Sequence, residues 1–91
     1  MKELDFSPLD AAKITQMEFA SIAGVSRVTV NNWVHKRLGV HEARASRVEK
    51  LLGALRAAVE QEKLPLANTP RAQRSSAIKR VVLEVLSSPK Q

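Results

Sequence analysis

Residues Thr15–Arg37 read TQMEFASIAGVSRVTVNNWVHKR, and this stretch decides the fold. Two short apolar-patterned runs flank a single glycine. Thr15 with Glu18 three residues on is the pattern of a reciprocal N-terminal cap, in which hydroxyl and carboxylate each accept an orphan amide of the other residue. It predicts a helix from about Gln16 to Ala23. Gly24 ends that helix, because a residue without Cβ tolerates the left-handed conformation of a helix stop. Ser26 is a further cap and opens a helix from about Arg27 to His35. The β-branched run Val28-Thr29-Val30 has modest helix propensity. A strand this short would need a partner, and no other segment alternates as a strand does.

Such a pair of helices is either an ordinary hairpin or a helix-turn-helix, two helices crossing steeply over a tight turn. The second arrangement makes demands that the residues meet. Ala20 is the small residue at the crossing. Gly24 supplies the positive φ of the turn, and Val25 plugs the gap behind it. Ser26 caps the second helix so that its first turn faces outward. Val30 and Trp33, three apart, return to the core, and Phe19 and Ala23 complete the inner face. A bare hairpin accounts for these positions, but not for the outer face of the second helix. That face carries Arg27, Val28, Asn31 and Asn32, with Lys36 and Arg37 at its end. In the major groove Arg forks onto guanine, Asn onto adenine, and Val touches a thymine methyl. Ser26, Thr29, Asn31 and His35 suit phosphate contacts, as does Gln16 at the opening of the first helix.

The segment ITQMEFASIAGVSRVTVNNWV resembles the helix-turn-helix of regulators of the Cro and phage-repressor type, in which Thr-Gln opens the first helix of the motif. AGVSRVTVNNWV is also similar to the lac-repressor type, which carries a further small-molecule domain that 91 residues cannot hold. The resemblance is close over the quoted stretch and loose over residues 8–60. It implies a four- or five-helix DNA-binding domain. It also implies that Arg27, Val28 and Asn32 stand at base-reading positions and Gln16 at that of a phosphate-clamping glutamine.

Working outward, Ser7-Pro8-Leu9-Asp10 reads as a helix start capped by Ser7, for a short helix from about Pro8 to Lys13. Leu38-Gly39 breaks the chain after the motif. From about His41 to Glu62, Ala45, Val48, Leu51, Leu52, Leu55, Ala58 and Val59 recur at spacings of three and four, an amphipathic helix. At the usual rise it would span roughly 33 Å, long for so small a domain, so a bend near Gly53 is a second reading. KLPLAN, residues 63–68, is a linker marked by Pro65. Thr69-Pro70 starts a last helix whose Ile78, Val81, Val82, Val85 and Leu86 share one face and which stops before Ser87-Ser88-Pro89. That face either packs on the domain or forms a seam with a second chain. The expected class is all-α: a helix-turn-helix domain over 1–62, then a linker and an amphipathic C-terminal helix over 63–91.

The charge distribution agrees with a polyanionic partner. The net charge of +6 divides as −1 over residues 1–34, +3 over 35–50, −1 over 51–62 and +5 over 63–91. The excess therefore follows the motif and fills the tail. Arg44 and Arg47 stand where they can touch backbone flanking the groove, and Arg71, Arg74, Lys79 and Arg80 are either solvated or phosphate-facing. With no Cys, disulfides and thiolate metal sites are excluded. His35 and His41 have no ligand partner in sequence, so no metal is expected. No run reaches the length of a membrane span, and MKELDF lacks the apolar core of a signal peptide. No paired carboxylates, Ser-His arrangement or phosphate loop stand out, so neither an enzyme nor a cofactor or small-molecule ligand is expected.

The sequence thus leads to a cytoplasmic, nucleoid-associated, repressor-like regulator that binds double-stranded DNA as a homodimer on an inverted repeat. Two other readings stay open. An excisionase or MerR-like domain also carries a Trp near the end of its recognition helix, but it continues into a β-hairpin wing. A small helical adaptor or inhibitor would use the C-terminal amphipathic face to hold a protein.

Overall fold

The reciprocal cap read from Thr15 and Glu18 is formed. The Glu18 amide donates to the Thr15 hydroxyl at 3.1 Å, and the Thr15 amide donates to the Glu18 carboxylate at 2.9 Å. This start fixes the first of two helices that organise the rest. In the computed structural model, which describes residues 3–66 and 69–87, the chain is all-α. The elements are α1 (Ser7–Ala11), α2 (Gln16–Ala23), α3 (Arg27–Val34), α4 (Glu42–Glu60) and α5 (Arg71–Ser87), with no strand among the described residues.

The turn between α2 and α3 follows the sequence closely. Gly24 takes φ +73°, and the amides of Gly24 and Val25 both donate to the Ala20 carbonyl, at 2.9 and 3.1 Å. That carbonyl would otherwise be an orphan of the helix end. The Ser26 hydroxyl accepts from the Thr29 amide at 3.1 Å and starts α3. Phe19, Ala20, Ala23, Val30 and Trp33 are all buried, with Val25 packed against them.

Both ends of α1 and the place of the break after α3 depart from the sequence reading. Ser7 is not the cap of α1 but its first residue. Phe6 occupies the cap position with its ring in the core, and the Asp5 carboxylate accepts from both the Ser7 amide and the Ser7 hydroxyl. Burying Phe6 draws the chain into the helix one residue early. Lys13 lies beyond α1, at φ +54°. Gly39 does not make the break after α3, because the chain already reverses at Lys36, at φ +61°, and the Arg37 amide closes the end on the Asn32 carbonyl at 2.9 Å.

α4 is one continuous helix of 19 residues, with Gly53 inside it on the exposed side. It buries Ala45, Val48, Leu51, Leu52, Ala54, Leu55 and Ala58. His41 caps it, its Nδ1 accepting from the Ala43 amide at 3.1 Å. α5 packs on α4 and α2. Its Ile78 and Val82 are 0% and 1% exposed, and Val81 and Val85 lie against the core, whereas Leu86 of the same expected face is half exposed. Ala67 and Asn68 of the expected linker, and Ser88 and Pro89 of the expected stop, lie outside the described residues.

The N-terminal segment joins the core as well. Leu4 and Phe6 are buried, and Phe6 links the other two aromatic residues: stacked on Trp33 at 6.1 Å and edge-on to Phe19 at 6.1 Å. α3 therefore rests on α2 from one side and on the N-terminal segment through Trp33, and its remaining face is uncovered.

Candidate nucleic-acid interface

The uncovered face of α3 holds most of the residues singled out from the sequence. Arg27 and Val28 are exposed in its first turn, Val28 at 63%. An aliphatic side chain left this open on an eight-residue helix contributes nothing to the core. Arg27 makes no hydrogen bond or ion pair within the described residues. Further along, side chains meet in a line. The Asn31 side-chain amide donates to Gln16 Oε1 at 3.0 Å, and Arg37 donates to Asn31 Oδ1 at 3.0 Å and to Asn32 Oδ1 at 3.4 Å. Gln16 at the start of α2 is thereby tied across the motif to the far end of α3. Four of the candidate residues form one half-exposed polar ridge.

The hydroxyls of Ser26 and Thr29 share a hydrogen bond at 2.9 Å at the start of α3. A hollow of about 350 Å³ opens beside them, lined in part by His41 and Arg44. Arg44 thus stands next to the amide end of α3, where the helix dipole is positive. His35 is exposed at the last turn.

Lys36 stands apart. Its ammonium donates to the Leu4 carbonyl at 2.7 Å and lies 6.0 Å from the centre of the Phe6 ring. The left-handed turn at Lys36 sends its side chain back toward the N-terminal segment and away from the ridge. Sequence reasoning also missed Leu4 and Phe6, which hold α3 in place. The signal for them was faint, since an alternation of two apolar residues in LDF is common in any chain.

Electrostatics around the motif are set by one ion pair. Arg74 of α5 donates from Nε to the Glu18 carboxylate at 2.8 Å and from Nη2 to the Lys13 carbonyl at 2.9 Å. Both side chains are mostly covered, at 24% and 12% exposure. Burial pushes the Glu18 carboxyl up, but the Arg74 hydrogen bond, the Thr15 amide and the charge of Arg74 outweigh it and hold the group below its ordinary range. The same bond raises the Arg74 guanidinium. The one acid in the first turn of α2 is therefore neutralised in place, and the amide end of α2 keeps its positive character.

Among the described residues no cluster of His, Cys, Asp or Glu is arranged to hold a metal, and no helix is long and apolar enough to cross a membrane. No known family, no curated protein and no solved structure matches this chain.

Proposed function

We propose that the protein is a sequence-specific, repressor-like DNA-binding regulator that lays α3 in the major groove. The observation that carries this reading is the ridge of Gln16, Asn31, Asn32 and Arg37, with Arg27 and Val28 left open beside it. A helix that packs one side on α2 and Trp33 and leaves donors, acceptors and an aliphatic group along the other has the size and chemistry of a groove reader. Arg27, Val28 and Asn32 are assigned to base edges. Gln16, Ser26, Thr29, Asn31, His35 and Arg37 are assigned to phosphates or to holding the ridge in register. The excess of +3 over residues 35–50 supports the electrostatic part of binding. The winged alternative has less support, since α4 begins at Glu42 where a β-hairpin would be needed.

One recognition helix reads about four base pairs, too few for a useful site, so we infer two copies on an inverted repeat. The apolar stripe of α5 gives such a dimer little to hold, because Ile78 and Val82 are spent within the chain. The reading is therefore of a pair that assembles on its operator, with free chains weakly associated. It belongs in a compartment that holds DNA.

Selection of bound duplexes from a random pool tests both points. A two-fold symmetric consensus is the expected outcome, with binding that falls steeply as salt rises. Recovery of no consensus, or salt-insensitive binding, overturns the assignment.

A further inference from the structure

The α4–α5 pair carries a groove that takes in no residue of α3. It has a volume of about 280 Å³ and opens between the two helices, with Ile22 of α2 in its wall. Its floor includes Leu51 of α4 and Leu83 and Leu86 of α5. The last two are 54% and 46% exposed. Its rim is formed by Arg47 and Lys50 of α4 and Lys79 of α5, all exposed. None of these three cations is engaged in a hydrogen bond or ion pair among the described residues, and no acid lines the groove.

We infer that this groove docks an acidic amphipathic helix of another protein, aliphatic side chains on Leu83 and Leu86 and carboxylates on the rim. An apolar floor ringed by charge of one sign is the pattern of helix-in-groove recognition, with the rim setting partner choice. The other occupants fit less well. A second copy docked by the same patch would set three cations against three cations. Nucleic acid would satisfy the rim but leave the leucines unused. The inference stands whether or not DNA is the ligand of α3.

The test uses the full chain without DNA and two labelled synthetic helical peptides of about 16 residues. Both carry Leu at i, i+3 and i+7, one flanked by Glu and the other by Lys. The acidic peptide is expected to bind, with chemical-shift changes confined to α4, α5 and the neighbourhood of Ile22 and affinity that weakens with salt. The basic twin is expected not to bind. Arg47→Glu with Lys79→Glu, and separately Leu86→Asp, should each weaken the acidic peptide roughly tenfold or more without moving the melting temperature appreciably. The proposal is overturned if the two peptides bind equally, if the shifts fall on α3, if the variants bind as the parent does, or if the groove proves to hold a second copy. The last would appear in sedimentation as a dimer dispersed by Leu86→Asp.

Discussion

Asn31 of α3 donates its side-chain amide to the side-chain carbonyl of Gln16 at 3.0 Å, joining the start of α2 to the outer face of the helix after it. The bond leaves Gln16 with a free amide donor and fixes where it points. A glutamine so held meets a phosphate without first losing rotamer freedom. Gln16→Ala and Asn31→Ala should each weaken DNA binding. In a double-mutant cycle on DNA the pair should show coupling of about 0.5–1.5 kcal/mol. Strictly additive losses would mean that the two side chains act on the duplex independently.

Arg27 and Lys36 should behave differently on substitution. Arg27 has no partner among the described residues, so Arg27→Ala should leave stability unchanged, cost about 1–3 kcal/mol on the selected site and relax preference at one base pair. In the sequence Lys36 stands at the end of the outer face of α3. Its ammonium is instead bonded to the Leu4 carbonyl. Lys36→Met should therefore lower stability by about 1 kcal/mol and leave base preference intact. Melting curves paired with titrations on selected and random duplexes separate the two behaviours. Equal effects of both substitutions on specific and random DNA would defeat the role of Arg27.

Trp33 is 5% exposed and stacks on Phe6, which in turn meets Phe19 edge-on. Trp33→Ala should cost about 3–5 kcal/mol, enough to unfold much of so small a domain. Trp33→Phe keeps a ring against Phe6 and should cost less. Chemical denaturation followed by circular dichroism measures both. A Trp33→Ala protein as stable as the parent would show that α3 is held by Val30 and the turn alone.

The motif was legible in the sequence because its signals are local. The Thr15–Glu18 cap, Gly24 and Ser26 act within four residues of themselves. The periodic runs of α4 and α5 could be read for the same reason. What escaped were contacts between distant segments, such as Leu4 with Lys36 and Glu18 with Arg74, which no local pattern encodes. The backbone conformation just past three helix ends also escaped, because residues other than glycine are left-handed there: Lys13, Lys36 and Glu62 all are, at φ +54° to +61°. Glycine, the usual sign of a stop, sits within α4 at position 53, where an added Cβ would meet nothing within 4 Å. Two substitutions of opposite sense follow. Gly53→Ala should stabilise by about 0.5–1 kcal/mol, and Glu62→Gly should stabilise by about 1 kcal/mol by removing left-handed strain. A loss of melting temperature in either variant would contradict the corresponding backbone argument.

The Arg74–Glu18 pair sets how the protein responds to acid. The Glu18 carboxyl is raised by burial but lowered further by the Arg74 and Thr15 hydrogen bonds and by the charge of Arg74, so in the folded chain it ionises below its ordinary 4.5. The unfolded chain therefore takes up the proton first. The stabilisation is complete above the unfolded value and is withdrawn as the pH falls through the lowered native one. Glu18→Gln keeps a side-chain acceptor for the Thr15 amide but cannot ionise. It should be about 1–2 kcal/mol less stable than the parent at neutral pH, and the gap should narrow as the pH falls below the ordinary 4.5. Arg74→Met should flatten the pH dependence in the same window. It should also weaken binding to all DNA, because an uncompensated Glu18 carboxylate at the start of α2 repels phosphate. Denaturant titrations across that pH range measure the first effect and salt-dependent DNA binding the second. A gap between parent and Glu18→Gln that stays constant as the pH falls below 4.5 would show that the ion pair adds nothing beyond the cap.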